Sequence, residues 1–476
     1  MANIAFGSKY FIFSKFSSIP KTSKIEQDRA TLIKEYNDLQ DFKRSKELEE
    51  FNELGTYLES SEYKKKVAEN EKVRSAEEAK IKKYEDQKKS KQYKKHFRFR
   101  ESAKLRDHQS FAGSKELAEF NNLKKEIANP ASKNNKEDQE AKQKRLNQLQ
   151  KSPSIKKYLK FEKSAAYTAY TSFENSKEFN DHQALGKYLQ SPEHKEALKT
   201  ATSELEAENN KKKKFDEFKN SKKYKWYLGL KDADKFKEIT RWQIVFEDTF
   251  SAKKLDTEKW MTRYYWGDKL INGAYALETD KAFPTDGKNI ETGNTLKITT
   301  RREKATGQVW KMPFGFIPQE FEYTTGLVST ARSHRQKFGK IEAKIKVNFA
   351  KPVNYNFWMA SEKNLPHVDI LRLQDKKSKV DVGHVYNQGK GDSSPARNAS
   401  KFTGLDVSQD FFIYTLEWSK SKLTWKINEV VVHEQSNNIP NEEMYLVFSS
   451  GITGKPSDAG LPASMEIDWV RCYQEK

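Results

Sequence analysis

Residues 367 to 372, His-Val-Asp-Ile-Leu-Arg, gather an imidazole, a carboxylate and a guanidinium into one short stretch of alternating polar and apolar character. In an extended chain side chains at i and i+2 share a face, and a bulge adds one residue to that spacing. His367, Asp369 and Arg372 can therefore line one surface. His367 and Asp369 could form half of a metal site or a hydrolytic dyad, but no further His or Cys stands at ligand spacing nearby. The simpler expectation is an ion pair between Asp369 and Arg372.

Composition sets the frame for these residues. At 476 residues the chain exceeds one ordinary core, so two or more domains are expected. Hydrophobic residues make up 35% and charged residues 33%, a balance near that of disordered chains, yet 12% aromatic residues point to folded parts with much surface. The net charge of +20 is uneven, with 54 Lys+Arg against 39 Asp+Glu in residues 1–240. A single cysteine, Cys472, excludes an internal disulfide and a thiolate cluster. No run reaches the ~18 apolar residues of a membrane span. Lys9 and Lys15 interrupt the only apolar run near the start, which argues against a signal peptide. The expected location is cytoplasmic, or released or particle-associated by a non-classical route.

The first half repeats itself. Phe42-x-x-Ser45-Lys46-Glu47-Leu48, Phe111-x-x-Ser114-Lys115-Glu116-Leu117 and Phe173-x-x-Ser176-Lys177-Glu178-Phe179 are one phrase at offsets of about 69 and 62 residues. Further starts follow at Ser90, Ser152 and Ser221, each with apolar residues three and seven positions on, which is helical spacing. Serine ahead of such a run is an N-cap, and Pro130, Pro153 and Pro192 suit the first helical position. The spacing predicts an irregular segment over 1–41 and three all-α tandem helical repeats over 42–235, at about 42–110, 111–172 and 173–235. Such repeats are expected to stack into an elongated stalk that could meet a protein partner. The interleaved aromatics read as core rather than base-stacking platforms, and interspersed glutamates leave no clean basic stripe, so nucleic acid is not an expected partner.

From about residue 241 the texture changes to short alternating strands with Gly and Asn turns, as in Thr295–Thr300, Gly339–Val347 and Phe412–Trp418 with Lys422–Asn428. Many short strands without helices imply two packed sheets over 241–476. The opening Phe246–Phe250 phrase, Tyr323–Gly326, Phe338–Lys346, Phe357-Trp358-Met359, Tyr414-x-x-Glu417-Trp418, Trp425 and Ile467–Tyr473 follow one another, over about 242–474, as do the landmarks of glycoside hydrolase family 16. The resemblance implies a laminarinase- and lichenase-like, concanavalin-like jelly roll whose cleft binds β-glucans or galactans. It also implies a Glu-x-Asp-x-x-Glu or Glu-x-Asp-x-Glu signature, and here those slots hold His367, Asp369 and Leu371 or Arg372.

That departure decides the expected function. A retaining glycosidase needs two carboxylates roughly 5 to 5.5 Å apart, one as nucleophile and one as acid and base. An imidazole and a permanently protonated guanidinium supply neither. The expectation is a degenerate, carbohydrate-binding domain in which Trp266, Trp310, Phe314, Trp358 and Tyr386 stack sugar rings, with core packing as their competing role. Two alternatives stand beside it: an active hydrolase using Glu320, Glu322 or Glu362, and a structural or protein-interaction component of a particle or cell surface. The resemblance further implies a structural calcium near Asp468, but Thr249 takes the place of a family glutamate there, so no cofactor is expected.

Overall fold

The computed structural model describes residues 19–129, 136–387, 395–452, 454–455 and 457–476. The chain divides into two compact units, one formed by Met1–Lys43 with Tyr227–Lys476 and the other by Arg44–Trp226. The helical half is therefore inserted into the sequence of the sandwich unit.

In the helical unit the serines act as the spacing predicts. Ser45, Ser114 and Ser176 accept hydrogen bonds from the backbone N–H groups of Leu48, Leu117 and Phe179 at 3.1–3.3 Å. Ser60, Ser90, Ser191 and Ser221 do the same for the residues three positions on. Ser60 and Ser90, both extended, close one helix and open the next, so Lys46–Glu59, Ser61–Lys89 and Lys91–Arg100 follow without a loop. Pro192 and Pro153 occupy first helical positions, although Ser152 turns its hydroxyl to Glu116 instead of capping. Pro130 lies outside the described residues.

The packing between these helices differs from a stack of three repeats. Phe51 stacks on Phe215 with ring centroids 4.6 Å apart, Tyr84 on His182 at 4.4 Å, His96 on Tyr170 at 4.7 Å and His108 on Tyr158 at 4.3 Å. Leu117 and Phe120 meet Leu146, Leu149 and Ile155. Partner numbers fall steadily as residue numbers rise, so the unit is two antiparallel limbs packed along their length. The aromatics are its core, as expected from their spacing: Phe51, Tyr93, Phe120 and Phe179 are all buried.

Among the described residues the sandwich unit has an eleven-stranded and a six-stranded sheet. The larger runs through Val430–Gln435, Leu423–Ile427, Phe412–Trp418, Gly339–Asn348, Ala463–Glu475, Leu296–Lys311 and Gly315–Thr325 in spatial order. The smaller runs through Ala396–Thr403, Lys379–Tyr386, His367–Leu373, Val353–Ser361, Met444–Ile452 and Leu327–Ser329. Alternation sends Ile341, Ala343 and Ile345 from one sheet, and Tyr355, Phe357 and Met359 from the other, into a shared core.

The segment expected to be irregular before residue 42 is helical over Thr22–Lys43. It covers the outer face of the larger sheet, where Ile25, fully buried, packs on Ile413 and Trp469. Arg29 reaches Glu342 at 2.9 Å and also pairs with Glu429, while Lys344 binds Glu26 at 2.8 Å. Glu342 alternates away from the core and is only 1% exposed, so the helix both hides this carboxylate and supplies its counter-charge. The helix shows little apolar periodicity because so few of its side chains, Thr22, Ile25, Leu39 and Phe42, are buried.

Candidate functional site

The outer face of the smaller sheet carries the signature strand. Since Tyr355, Phe357 and Met359 point inward, Asn354, Asn356 and Trp358 point outward. His367 pairs with Ala360 and Asp369 with Trp358, then the register shifts so that Leu371 faces Phe357 and Arg372 faces Asn356. Ile370 is thus the extra residue of a bulge, which keeps His367, Asp369 and Arg372 on one face despite their uneven spacing. The next strands extend the rows: Arg372, Asp381 and Lys401 stand side by side, as do Asp369, Gly383 and Ala399.

Asp369 is the centre of this face. Its Oδ1 lies 2.9 Å from His367 Nε2, and Arg397 donates to Oδ2 at 3.2 Å. Trp425, from the opposite sheet, donates its indole N–H to the Asp369 backbone carbonyl at 2.9 Å. Burial alone would raise the Asp369 carboxyl, but the His367 hydrogen bond and the neighbouring arginine charges outweigh it and hold the group below its ordinary value. Trp358 stacks on the His367 ring at 4.7 Å and donates to Ser449 at 3.1 Å.

The expected Asp369–Arg372 ion pair does not form. The bulge carries Arg372 one row along the strand, where its guanidinium donates to the Gln374 side-chain oxygen at 3.2 and 3.4 Å. Arg397, from the strand Ala396–Thr403, takes the place at Asp369 instead. Sequence reading missed it because the contact spans 28 residues and two strands, with no local signal.

Trp266 and Trp358 come together around one cluster with Met261, Tyr265, Leu327 and Tyr445. Trp310 lies in the long hairpin, edge-on to Phe316 and 39% exposed, with Met312 and Phe314 at its tip, and is not part of that cluster. Tyr386 does not reach the site face. Val368 pairs with His384, which puts the even-numbered residues of strand Lys379–Tyr386 on the core side, and Tyr386 stacks on His384 there at 4.9 Å. Burial pushes the His384 imidazole down to about 4, and His367 adds to the shift.

Two of the three alternative carboxylates are paired elsewhere. Glu362 pairs with Arg335 at 2.7 Å and Glu322 with Lys304 at 3.6 Å, while Glu320 is exposed opposite Thr306 in the hairpin. Among the described residues none of the three bonds to His367, Asp369 or Arg372. Asp468 receives Lys344 Nζ at 2.9 Å, and that ammonium also binds Glu26. Among the described residues Thr249 meets the Ser251 hydroxyl, at 3.3 Å. The residues present do not fit the implied calcium, because a lysine already stands where its charge would go. Among the described residues no three His, Cys, Asp or Glu side chains gather as candidate metal ligands. No described helix is long and apolar enough to cross a membrane.

The two packed sheets, with an Asp-centred bulged strand on the outer face of the smaller one, make a β-sandwich of the jelly-roll type. The C-terminal region carries a domain of glycosyl hydrolases family 16, whose family model matches residues 278–471. The chain is 21% identical over 279 residues to glucan endo-1,3-beta-glucosidase A1 of Niallia circulans, covering 50% of this chain and 39% of that protein. It is 24% identical over 291 residues to the kappa-carrageenase of Pseudoalteromonas carrageenovora, covering 52% and 64%. Among solved structures, the laminarinase catalytic domain from Thermotoga petrophila RKU-1 is 22% identical, with coverage of 49% and 98% and a TM-score of 0.40. The chain spans less than two thirds of the length of either curated relative.

Proposed function

We propose that the sandwich unit binds a glycan on the outer face of its smaller sheet without hydrolysing it. The observation that carries this reading is that Asp369, the one carboxylate on the exposed side of the signature strand, has both oxygens engaged, by His367 and Arg397. A carboxylate held this way is charged but not free to attack an anomeric carbon. No second carboxylate on that strand can donate the proton to a leaving group. Binding is supported by the partly buried indoles of Trp266 and Trp358, which pack on one cluster and offer apolar surface for sugar C–H faces beside polar side chains. The names of the relatives, a glucanase and a carrageenase, support a polysaccharide as the ligand class.

The test is incubation of the full chain with laminarin, mixed-linkage glucan and galactan polymers, followed by analysis of new reducing ends and by calorimetry with the matching oligosaccharides. Binding with no products is the expected result. Products that vanish in Asp369→Asn would overturn it and restore a hydrolase.

A further inference from the structure

The net charge of the helical unit is gathered in one place. Residues 44–226 carry 44 Lys+Arg against 31 Asp+Glu, yet 87–106 hold nine of those cations with one acid, and 151–163 hold five with one. The rest of the unit, with 30 cations and 29 acids, is balanced. The two rich stretches lie side by side on the two limbs, where Phe99 stacks on Phe161 with ring centroids 6.0 Å apart.

All fourteen cations are exposed, and among the described residues only Lys157 has an ion pair, with Asp107 at 3.7 Å. Elsewhere in the unit lysines are spent on facing acids, as Lys66 is on Glu208 at 3.2 Å and Lys142 on Glu126 at 3.3 Å. Here the facing acids meet histidines instead, Glu174 at His96 and Glu162 at His108, at 2.6 and 3.9 Å.

Helical periodicity orders these charges. In Lys91–Arg100 the side chains of Tyr93 and His96 are buried, and Lys91, Lys94, Lys95 and Arg98, at i, i+3, i+4 and i+7, form one stripe on the opposite face. The glutamates that blur the pattern along the rest of this half are absent from that face. At about 1.5 Å per residue the stripe sets four charges over about 10 Å, close to the spacing of one phosphate per about 3.4 Å along each strand of a duplex. Lys156, Lys160 and Lys163 make a second stripe, away from the buried Ile155.

Other polyanions fit less well. A helix that adsorbs to a membrane sets apolar side chains among its cations, and neither stretch exposes a large one. A single strand needs open aromatic rings to stack on, whereas Tyr93, Phe97, Phe99, Tyr158 and Phe161 are buried or half-buried. Acidic polysaccharides carry their charges at least a sugar ring apart, too sparse for the stripe. We propose that this part of the helical unit binds duplex nucleic acid through its phosphates, without reading base sequence.

Fluorescence anisotropy of the full chain with a random-sequence DNA duplex of about two helical turns tests this. Four phosphate contacts predict about a 100-fold loss of affinity between about 50 and 200 mM salt. Replacing Lys91, Lys94, Lys95 and Arg98 together by Gln, which keeps helix propensity, should weaken binding about tenfold or more and flatten the salt dependence. Replacing Lys212, Lys213, Lys214 and Lys219 by Gln makes the same change in net charge in the balanced part and should leave affinity within about threefold, because screening confines the effect. Far-UV spectra of both variants confirm that the helices persist. Equal losses in the two variants would assign binding to net charge and overturn the stripe. Absence of duplex binding at about 50 mM salt, or tighter binding of a polyuronate or of phosphatidylserine vesicles at equal salt, would overturn the nucleic acid assignment.

Discussion

At the residue scale, Glu342 shows how much one buried charge depends on a partner far away in sequence. Burial alone would raise its carboxyl, but the Arg29 and Lys340 charges outweigh that and hold it well below the usual carboxylate range. Its folded value is depressed, so its contribution to stability is present above the ordinary carboxylate range and lost as pH falls through it. Removing one partner of a buried pair costs about 3 kcal/mol or more. Arg29→Met should lower the denaturation midpoint of the sandwich unit accordingly, with Glu429 losing its partner too. The pH dependence should also reverse sign locally: with Arg29 gone, burial dominates Glu342, and mild acid narrows the gap between variant and wild type. Denaturant titrations of both proteins at pH 7 and pH 5 check this, and a gap that widens at pH 5 would refute it. None of this was legible in the sequence, where Arg29 is one basic residue among many. At Asp369 the strand and its parity could be read from residue types and the bulge from the resemblance to the family signature, whereas the arginine that pairs with it is set by strand order.

At the element scale, the helical limbs repeat a device as regular as their caps. His96, His108 and His182 are buried against tyrosine rings, at Tyr170, Tyr158 and Tyr84 respectively. Burial lowers the affinity of all three for a proton, even though Glu174 and Glu162 face His96 and His108 and work against the shift. A histidine with a lowered folded value binds fewer protons folded than unfolded. Stability is therefore fully present above about pH 6.5 and falls as pH drops below it. Thermal unfolding followed at the helical far-UV signal should show the melting temperature declining between pH 7 and pH 5. His96→Phe should flatten that decline, and an unchanged slope would rule the histidines out as its source. The serine caps were readable in the sequence because a cap is decided by a hydrogen bond three residues away. The pairing of limbs was not, because three similar phrases are compatible with stacking in sequence order as well as with an antiparallel return. Cross-limb matches such as Phe51 with Phe215 and Tyr84 with His182 distinguish the two.

At the scale of the whole molecule, the sandwich unit is made from two separated pieces of chain, and this determines how it can be dissected. The boundary suggested by texture, near residue 241, cuts away the helix Thr22–Lys43 and with it the Ile25 contact, the Arg29 pairs and the Thr22 hydrogen bonds to Phe411 and Asn428. Burying one such isoleucine contributes about 1.5 to 3 kcal/mol, and taking Arg29 from the buried Glu342, which leaves it Lys340 at 3.7 Å, costs about 3 kcal/mol or more. A fragment of residues 241–476 should therefore be poorly folded or aggregate. The other cut should succeed. Phe42 and Tyr227, the aromatic residues flanking the insertion, have ring centroids 5.2 Å apart, so the ends of the sandwich pieces are already adjacent. A chain in which residues 44–226 are replaced by a short Gly/Ser linker should keep the sandwich, with cooperative unfolding and a strand-type far-UV spectrum. It should also retain whatever glycan affinity the full chain shows, since His367, Asp369, Arg372, Trp266 and Trp358 are all held by sandwich elements. A linker chain that folds but loses binding would assign part of the site to the helical unit, whereas a well-folded 241–476 fragment would show the N-terminal helix to be dispensable to the sheet it covers.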